Sequence, residues 1–289
     1  IVTGSGRELG QWMVEHPGID KIAFTGSTVT GKLVAQTAAQ TIKRVTLELG
    51  GKSPSVVFGD ADLDGAIAGA LYGIYYNAGQ TCEARSRILV QKSVYDRFVA
   101  GFVERAKALR VGNPEDPKTH VGAVTVREQF EKIKSYCDVA TGEGARNLLG
   151  GAPADAGAGF EGGMFWQVSA YEARPEHRIA TEEVFGPVAA LVPFEDEAEA
   201  IALANASDYG LSASVWSQNI GRANRVARAI RSGTVAINTP YAVFPGVPFG
   251  GYKQSGYGRE LGMETMQLYS ETKSVLTYIG EKAINPFGV

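Results

Sequence analysis

The chain contains 289 residues, of which 44% are hydrophobic and 20% are charged, and its net charge is −3 at pH 7. This length allows a large core and one or two domains, and the composition is that of a globular protein. The mild acidity gives no electrostatic reason to expect nucleic acid or an anionic membrane as a partner, and no apolar run approaches the length of a membrane span.

The two cysteines, Cys82 and Cys137, are too few for a disulfide framework. A globular chain with so few cysteines favours a reducing compartment, and we expect a cytoplasmic protein. The three histidines lie in turn-like contexts without the spacing of metal ligands, so the sequence predicts no metal site.

The first fifty residues alternate between strand-like and helix-like patterns. Residues 21–26 (KIAFTG) read as a short buried strand, and residues 44–51 (RVTLELGG) read as a second strand that its glycines stop. Between them, residues 30–40 have a helical pattern that Ser27 or Thr28 would cap. This alternation is typical of a wound α/β domain.

The same alternation continues through most of the chain. The patterns predict helices at 62–79, 94–109, 195–207 and 220–230, and strands at 86–91, 187–194, 211–217 and 233–238. Strands that alternate with helices predict an α/β fold with a mainly parallel sheet and crossover helices. Near the end, residues 271–280 (ETKSVLTYIG) alternate like an exposed strand.

Residues 24–33 (FTGSTVTGKL) come within one residue of a phosphate-binding P-loop. Gly26, Gly31 and Lys32 have the required spacing, but Leu33 stands where the magnesium-binding hydroxyl should be, which argues against an ATPase. A glycine turn between a strand and a helix still presents backbone N–H groups and the positive end of a helix dipole, which suit a phosphate. On these residues alone, a phosphate-contacting turn and an ordinary strand-to-helix turn are both open.

Cys82 lies in a glycine- and glutamine-containing turn between a long predicted helix and a strand. Backbone N–H groups in such a turn can stabilise a thiolate, so Cys82 is a candidate nucleophile. Its neighbours Gln80, Thr81 and Glu83 are all polar, which fits a small buried hydrophobe poorly. Cys137, in a helical stretch, fits that plainer interpretation well.

Glu48 stands at a predicted strand end between Leu47 and Leu49. A carboxyl group in such apolar surroundings is expected to have a raised pKa, which suits a general base that works near neutral pH. An exposed acid at a strand end is the plainer alternative.

Five separate stretches resemble the signature blocks of the NAD(P)-dependent aldehyde dehydrogenase superfamily. In chain order they are FTGSTVTG (24–31), LELGGKSP (47–54), YNAGQTCEA (76–84), EEVFGPV (182–188) and PFGGYKQSGYGRELG (248–262). They occur in the family's order, and five blocks in register are far more specific than one glycine pattern. The resemblance implies an α/β fold with the remainder of a Rossmann-type cofactor domain (1–49), a catalytic domain (50–250), and a C-terminal segment (251–289) that returns to the cofactor domain and carries an oligomerisation strand.

The resemblance implies that Cys82 attacks the carbonyl group of an aldehyde to form a thiohemiacetal. This adduct would collapse to a thioester as hydride passes to the nicotinamide, and Glu48 would activate the water that hydrolyses the thioester. Members of the family that pass the acyl group to coenzyme A typically lack this base, so Glu48 favours hydrolysis to a free acid.

The resemblance also implies a set of contacts with the cofactor. Gly26 and Ser27 would lie against the pyrophosphate, Glu183 would hold the nicotinamide ribose, and Phe185 would pack on the nicotinamide. The full set of expected cofactor residues is Gly6, Gly10, Gly26, Ser27, Thr30, Gly31, Leu49, Glu183 and Phe185. NAD is the expected cofactor on family frequency, with NADP as the alternative.

The resemblance covers only the later part of the family's fold. About 200 residues are expected to precede Ile1, judged by ordinary domain sizes. They would include an asparagine that completes an oxyanion hole with the backbone N–H of Cys82. Loss of one such donor costs about a hundred- to a thousandfold in rate, so we expect this chain alone to be inactive or misassembled. In the family, the strand at 271–280 joins a neighbouring subunit's sheet, so a homodimer or homotetramer is expected.

Two other functions are compatible with the same residues. A thiol esterase or hydrolase could use Cys82 and Glu48 without a redox step, and binding of NAD would separate the two cases. A non-catalytic structural relative of the same fold is the other alternative, and rapid labelling of Cys82 but not of Cys137 would count against it. The sequence does not identify the aldehyde.

Overall fold

The computed structural model describes residues 1–282 and 284–289. The α-helices are Gly6–Glu15 (α1), Thr28–Ala39 (α2), Leu63–Tyr75 (α3), Tyr95–Lys107 (α4), Arg127–Gly142 (α5), Arg178–Thr181 (α6), Glu197–Asn205 (α7), Ile220–Ala229 (α8) and Thr265–Leu268 (α9). The strands are Lys21–Thr25 (β1), Arg44–Glu48 (β2), Pro54–Val57 (β3), Arg87–Gln91 (β4), Arg146–Leu149 (β5), Ser169–Glu172 (β6), Val188–Phe194 (β7), Tyr209–Gly210 (β8), Ser212–Trp216 (β9), Thr234–Ile237 (β10), Tyr252–Lys253 (β11) and Gly256–Tyr257 (β12).

A seven-stranded sheet with the order β10-β9-β3-β4-β7-β6-β5 forms the centre of the chain. Its neighbouring strands run parallel, except that β5 pairs antiparallel with β6. Parallel neighbours cannot be joined by a tight hairpin, so longer connections that contain helices cross over the sheet between them. The predicted α/β fold with a mainly parallel sheet is therefore confirmed.

Helices cover both faces of this sheet. Alternate strand residues point to opposite faces, so Val56 and Leu89 meet α5, α6, α7 and α8, whereas Val57 and Ile88 meet α3 and α4. Because both faces are buried, the central strands are apolar along most of their length, as in β7, where six of the seven residues are buried.

A second, smaller sheet has the order β1-β2-β12. Strands β1 and β2 are parallel, with Thr25 opposite Glu48, and β12 runs antiparallel on the other side of β2, with Gly256 also opposite Glu48. A small core of Val14 and Ala38 packs helices α1 and α2 against β1. The C-terminal part of the chain therefore returns to the strand that carries Glu48.

Most of the elements predicted from the sequence are present. Ser27 is the residue that caps α2, since its side chain accepts a hydrogen bond from the backbone N–H of Thr30 at 3.2 Å. The sequence patterns missed β5 and β6, which lie on either side of a long glycine-rich loop, and they did not assign β3. In the described part of the chain, no helix is long and apolar enough to cross a membrane.

The strand predicted at residues 271–280 is absent from this chain. The segment is exposed along its whole length and has no regular secondary structure. An isolated segment with strand-like alternation does not form a strand without a neighbour to share its backbone hydrogen bonds, and the described residues supply none here. Its pairing with another subunit stays a prediction.

The packing of α3 on β9 depends on Gly69. A Cβ atom at this position would lie 2.2 Å from Cζ2 of Trp216. We expect Gly69→Ala to lower the free energy of unfolding by about 1–3 kcal/mol, because overpacking a core forces side chains from their rotamers. Urea denaturation followed by circular dichroism measures this change.

Gly142, the last residue of α5, provides the matched control. It is exposed, and no described atom lies within 4 Å of the position of its Cβ. Gly142→Ala should leave the stability unchanged or raise it by up to about 1 kcal/mol, because alanine favours the helix. Equal free energies of unfolding for the two variants would contradict the packing argument.

Candidate active site

Three distant segments meet at one edge of the large sheet. Residues 49–53 lead into β3, residues 80–86 lead into β4, and residues 182–187 lead into β7. These strands are parallel neighbours, with Pro54 opposite Arg87 and Arg87 opposite Ala190, so the three segments that precede them lie side by side at the amino ends of the strands. The sheet thereby brings Cys82, Glu183 and the segment after Glu48 together.

Close backbone packing at Gly50 and Gly51 joins these segments. A Cβ atom at Gly51 would lie 2.4 Å from the carbonyl oxygen of Cys82, and one at Gly50 would lie 2.3 Å from Oε2 of Glu183. The backbone N–H of Gly51 also donates a hydrogen bond of 3.1 Å to Oε1 of Glu183. No larger residue fits at either position without moving the cysteine turn or the carboxylate.

A left-handed turn brings the chain from α3 to Cys82. Asn77, Ala78 and Gly79 have φ values of 51°, 56° and 68°. A Cβ atom at Gly79 would lie 2.1 Å from the carbonyl oxygen of Gly186, so the turn packs directly on the backbone before β7. Two consecutive non-glycine residues in this conformation are uncommon and store strain beside the cysteine.

Glu48 lies at the carboxyl end of β2 and only 3% of its surface is exposed. Neither carboxylate oxygen has a hydrogen-bond partner among the described residues. Burial, reinforced by the charge of Glu260 and opposed by that of Arg259, raises the pKa of Glu48 to about 8. The sequence-based expectation of a raised pKa is confirmed, and the alternative of an exposed acid is wrong.

Cys82 is half-buried and free of disulfide bonds. Burial and the nearby carboxylates of Glu48 and Glu183 raise the pKa of its thiol to about 11, whereas its own backbone N–H and the charge of Arg85 lower it. The thiol is therefore protonated near neutral pH, and a group that accepts its proton would have to assist it. The charge of Glu48 acts on this thiol, and its own raised pKa makes Glu48 more basic than an ordinary glutamate.

Glu183 and Phe185 lie in the segment that leads into β7. Burial raises the pKa of Glu183, and the Gly51 N–H, Lys132 and Lys52 lower it. Phe185 has a φ of 59° and is half-buried. Lys52 is fully buried without a partner for Nζ in the described chain, and burial is the main reason that its pKa falls to about 7.

The turn before α2 lies beside the same strand end. The backbone N–H of Gly26 donates a hydrogen bond of 3.0 Å to the carbonyl oxygen of Glu48. Ser27 and Thr30 are exposed, and their hydroxyl groups are 2.9 Å apart. The first turn of this 12-residue helix is therefore open to a ligand next to Glu48, which gives it the properties of an anion-binding helix terminus.

Gly31 and Leu49 contact each other across the strand and the helix. A Cβ atom at Gly31 would lie 2.4 Å from Cδ2 of Leu49, so glycine lets the helix approach the strand end. Gly6 and Gly10 differ, because both lie within α1 and no described atom is within 4 Å of a Cβ placed at either. Glycine at position 31 thus brings the start of α2 to the end of β2, and the contacts of all nine expected residues with a cofactor stay a prediction.

Several residues of this site were not singled out from the sequence. Three of them, Lys52, Arg259 and Glu260, lie within the signature blocks. No local pattern marks them as buried or as charge partners, because burial and charge contacts come from distant segments. Arg85 could have been noticed, since it follows Cys82 by three residues. Among the described residues, no group of three or more His, Cys, Asp or Glu side chains is arranged to hold a metal ion.

The sequence of this chain is similar to those of known aldehyde dehydrogenases. The model of the aldehyde dehydrogenase family matches residues 1–275. An aldehyde dehydrogenase of Emericella nidulans is 45% identical over 282 residues, which cover 97% of this chain and 56% of that protein. The putative aldehyde dehydrogenase DhaS of Bacillus subtilis is 44% identical over 277 residues, which cover 95% of this chain and 55% of that protein.

Solved structures show the same similarity. Betaine aldehyde dehydrogenase from Staphylococcus aureus, in complex with NAD+, superposes with a TM-score of 0.95 at 44% identity, over 98% of this chain and 56% of its own. The NAD-dependent aldehyde dehydrogenase from Sinorhizobium meliloti gives a TM-score of 0.95 at 42% identity, over 100% of this chain and 56% of its own. The chain thus spans a little over half the length of these relatives.

The raised pKa of Glu48 predicts a pH-dependent effect on stability. The protonated carboxyl favours the folded state, and this contribution is fully present below the ordinary pKa of 4.5, falls as the pH rises, and is lost above the folded pKa of about 8. Glu48→Gln removes the buried charge, so we expect it to raise the free energy of unfolding by roughly 3 kcal/mol near pH 9. Near pH 4 the gain should vanish.

Thermal and urea unfolding at both pH values measure this difference. Glu143→Gln is a suitable control, since this carboxylate lies on the surface near the end of α5 and accepts a hydrogen bond from the backbone N–H of Arg178. A Glu48→Gln variant whose stability changes equally at the two pH values would contradict the assignment of a buried carboxylate with a raised pKa.

Proposed function

We propose, since this chain belongs to the aldehyde dehydrogenase family, that it carries the nucleophile, the general base and part of the cofactor site of an enzyme that oxidises an aldehyde to a carboxylic acid with NAD(P). The observation that carries this proposal is the convergence of Cys82, Glu48 and Glu183 at the edge of the parallel sheet. A thiol, a basic carboxylate and a second carboxylate next to an open helix terminus suit covalent catalysis beside a dinucleotide.

The reaction begins at Cys82. Its thiol gives its proton to Glu48, Sγ forms a bond to the carbonyl carbon of the aldehyde, and the π electrons of the carbonyl group move to its oxygen, which yields the oxyanion of a thiohemiacetal. The high pKa of the thiol makes this step dependent on an acceptor, and the raised pKa of Glu48 makes its carboxylate a stronger base than an ordinary glutamate.

The residues beside Glu48 fit NAD. The open first turn of α2 with Gly26 and Ser27 would hold the pyrophosphate, and the half-buried carboxylate of Glu183, which keeps capacity to accept further hydrogen bonds, would hold the ribose. NAD supplies, when bound, the acceptor for the hydride that the oxidation releases. NAD is the cofactor that we propose, and NADP is the alternative within the family.

Glu48 passes the thiol proton to solvent and then serves a second time as a carboxylate base. The thioester on Cys82 needs a water molecule to release the acid, and Glu48 can accept a proton from that water as it attacks the carbonyl carbon. The bond from the carbonyl carbon to Sγ breaks, and the thiolate of Cys82 leaves. A buried carboxylate that has no hydrogen-bond partner among the described residues is free for this role, which supports hydrolysis to a free acid rather than transfer to another thiol.

The activity, substrate and assembly of the whole protein are part of the same proposal. We propose the division into a cofactor part (1–49), a catalytic part (50–250) and a returning C-terminal segment (251–289), which the pairing of β12 with β2 supports. We further propose a homodimer or homotetramer, in which residues 271–280 gain a neighbouring strand. Free Cys82 and Cys137 support a reducing compartment such as the cytoplasm.

A cysteine substitution tests the nucleophile. We expect Cys82→Ser to lower aldehyde-dependent reduction of NAD in the whole natural protein by at least about a thousandfold, because the covalent step is lost. Cys137→Ser is the matched control, since Cys137 is buried in α5 and should keep most of the activity. Absorbance at the wavelength of reduced nicotinamide measures both rates. Thioester hydrolysis at Cys82 without any binding of NAD would instead favour a thiol hydrolase.

A second substitution tests the ribose contact. Glu183→Gln should weaken binding of NAD by roughly tenfold or more, since a hydrogen bond to a charged group contributes about 1.5–3 kcal/mol. Its neighbour Glu182 provides the control, because that carboxylate is already bonded to Arg178 and Tyr136. Calorimetry on the apoprotein measures the dissociation constant of NAD for Glu183→Gln and for the control Glu182→Gln. Equal values for the two variants would remove Glu183 from the cofactor site.

A further inference from the structure

Arg85 is a buried cation that the fold does not account for. Its side chain is 1% exposed, and two of its nitrogen atoms, Nε and Nη2, have no hydrogen-bond partner in the described chain. A buried guanidinium with unpaired nitrogen atoms lowers the stability of the fold unless another group interacts with its charge. Arg87, two residues later, is better satisfied, because only its Nε lacks a partner among the described residues and its other two nitrogen atoms donate hydrogen bonds to the carbonyl groups of Leu203 and Ala204 at the end of α7.

The fold holds Arg85 directly behind the cysteine turn. Its backbone N–H donates a hydrogen bond of 2.8 Å to the carbonyl oxygen of Gly73 in α3. A Cβ atom at Gly73 would lie 3.2 Å from Cβ of Arg85 and 3.6 Å from its Cγ, so the stem of the arginine runs along the helix where that helix has no side chain. The position of the guanidinium is therefore set by α3 as well as by the turn.

Glu83 is the one charged partner of Arg85 among the described residues. Nη1 of Arg85 forms an ion pair with the Glu83 carboxylate and also donates a hydrogen bond of 2.9 Å to the Glu83 carbonyl oxygen. The Glu83 side chain is 22% exposed, so water screens it more than it screens the arginine. Glu83 therefore compensates only part of the positive charge of Arg85, and the rest of that charge acts inside the turn that carries Cys82.

This charge lies beside Cys82, because Nη1 of Arg85 donates its hydrogen bond to the carbonyl oxygen of Glu83, the next residue in the chain. The charged groups that act on the Cys82 thiol are Glu48, Glu183 and Arg85, and Arg85 is the cation among them. Two carboxylates oppose the thiolate, and Arg85 acts in the other direction. The interaction is mutual, since Cys82 is also the charged group that favours the cationic form of Arg85.

We propose that Arg85 is a positioning residue that favours the thiolate of Cys82, and that Glu83 sets how much of its charge the thiol experiences. The inference rests on the proposed role of Cys82 as the nucleophile. It adds that two residues of the same turn, Arg85 and Glu83, determine how readily the Cys82 thiolate forms. Arg85 does not contact the aldehyde in this scheme, because its charge acts through Cys82 alone.

The rate at which iodoacetamide alkylates Cys82, followed against pH, tests the proposal. Only the thiolate reacts, so the midpoint of the pH profile reports its formation, whereas the plateau reports access to the sulfur. Peptide mass spectrometry on the whole natural protein resolves Cys82 from the buried Cys137, which serves as the internal control.

The two partners should have opposite effects. Arg85→Met should move the midpoint to higher pH and slow alkylation below the midpoint by about tenfold, the change that one pKa unit produces. Glu83→Gln should move the midpoint to lower pH and speed alkylation several-fold. Arg85→Lys should restore most of the effect of the charge. A merely structural role would change the plateau, or would move both midpoints in the same direction.

The outcomes separate this inference from the proposed function. An unchanged midpoint in Arg85→Met would overturn the role of Arg85. If that variant does not fold, an unchanged or raised midpoint in Glu83→Gln overturns it equally. Alkylation of Cys82 no faster than that of Cys137 in the unmodified protein would overturn the proposed nucleophile itself, whatever the variants show.

Discussion

The parallel pairing of β3, β4 and β7 is the constraint on which the site depends. Each of these strands is preceded by one segment of the site, and parallel neighbours necessarily place their amino ends at the same edge. Residues that are far apart in the chain, such as Cys82 and Glu183, meet for this reason. Gly51 completes the arrangement, because only a residue without a side chain lets its backbone touch the cysteine turn while it donates to Glu183.

This arrangement concentrates acidic groups in a place with little water. The charges of Glu48 and Glu183 both act on the Cys82 thiol, and each of the three groups has a raised pKa for which burial is the largest cause. Such crowding lowers the stability of the folded state near neutral pH, and it also raises the basicity of Glu48, the proposed base, beside Cys82, the proposed nucleophile. The same burial thus lowers the stability of the fold and raises the basicity of these groups. Two cations act against the rise in pKa, since the charge of Arg85 lowers the pKa of Cys82 and that of Lys52 lowers the pKa of Glu183.

The small sheet connects the site to the rest of the chain. Glu48 ends β2, and the C-terminal segment returns to pair with it through β12. The side chain of Ser255 donates a hydrogen bond of 2.7 Å to the carbonyl oxygen of Gly50 and accepts one of 3.0 Å from the backbone N–H of Gly210. The same return places Arg259 and Glu260 where their charges affect Glu48. A segment about 200 residues away in sequence therefore changes the pKa of Glu48, the proposed base.

The sequence by itself determined the secondary structure of most elements and the parallel α/β class, it restricted the cap of α2 to Ser27 or Thr28, and it singled out Cys82 and Glu48 as candidates, because local propensity, periodicity and short motifs are written in adjacent residues. It did not determine the order of the strands, the short strands β5 and β6, or the state of residues 271–280. Whether a stretch becomes a strand depends on the neighbour it pairs with. Only the tertiary structure decided that Lys52 and Arg85 are buried cations and that Arg259 and Glu260 face Glu48, because burial and charge contacts arise between segments that the chain brings together only when it folds.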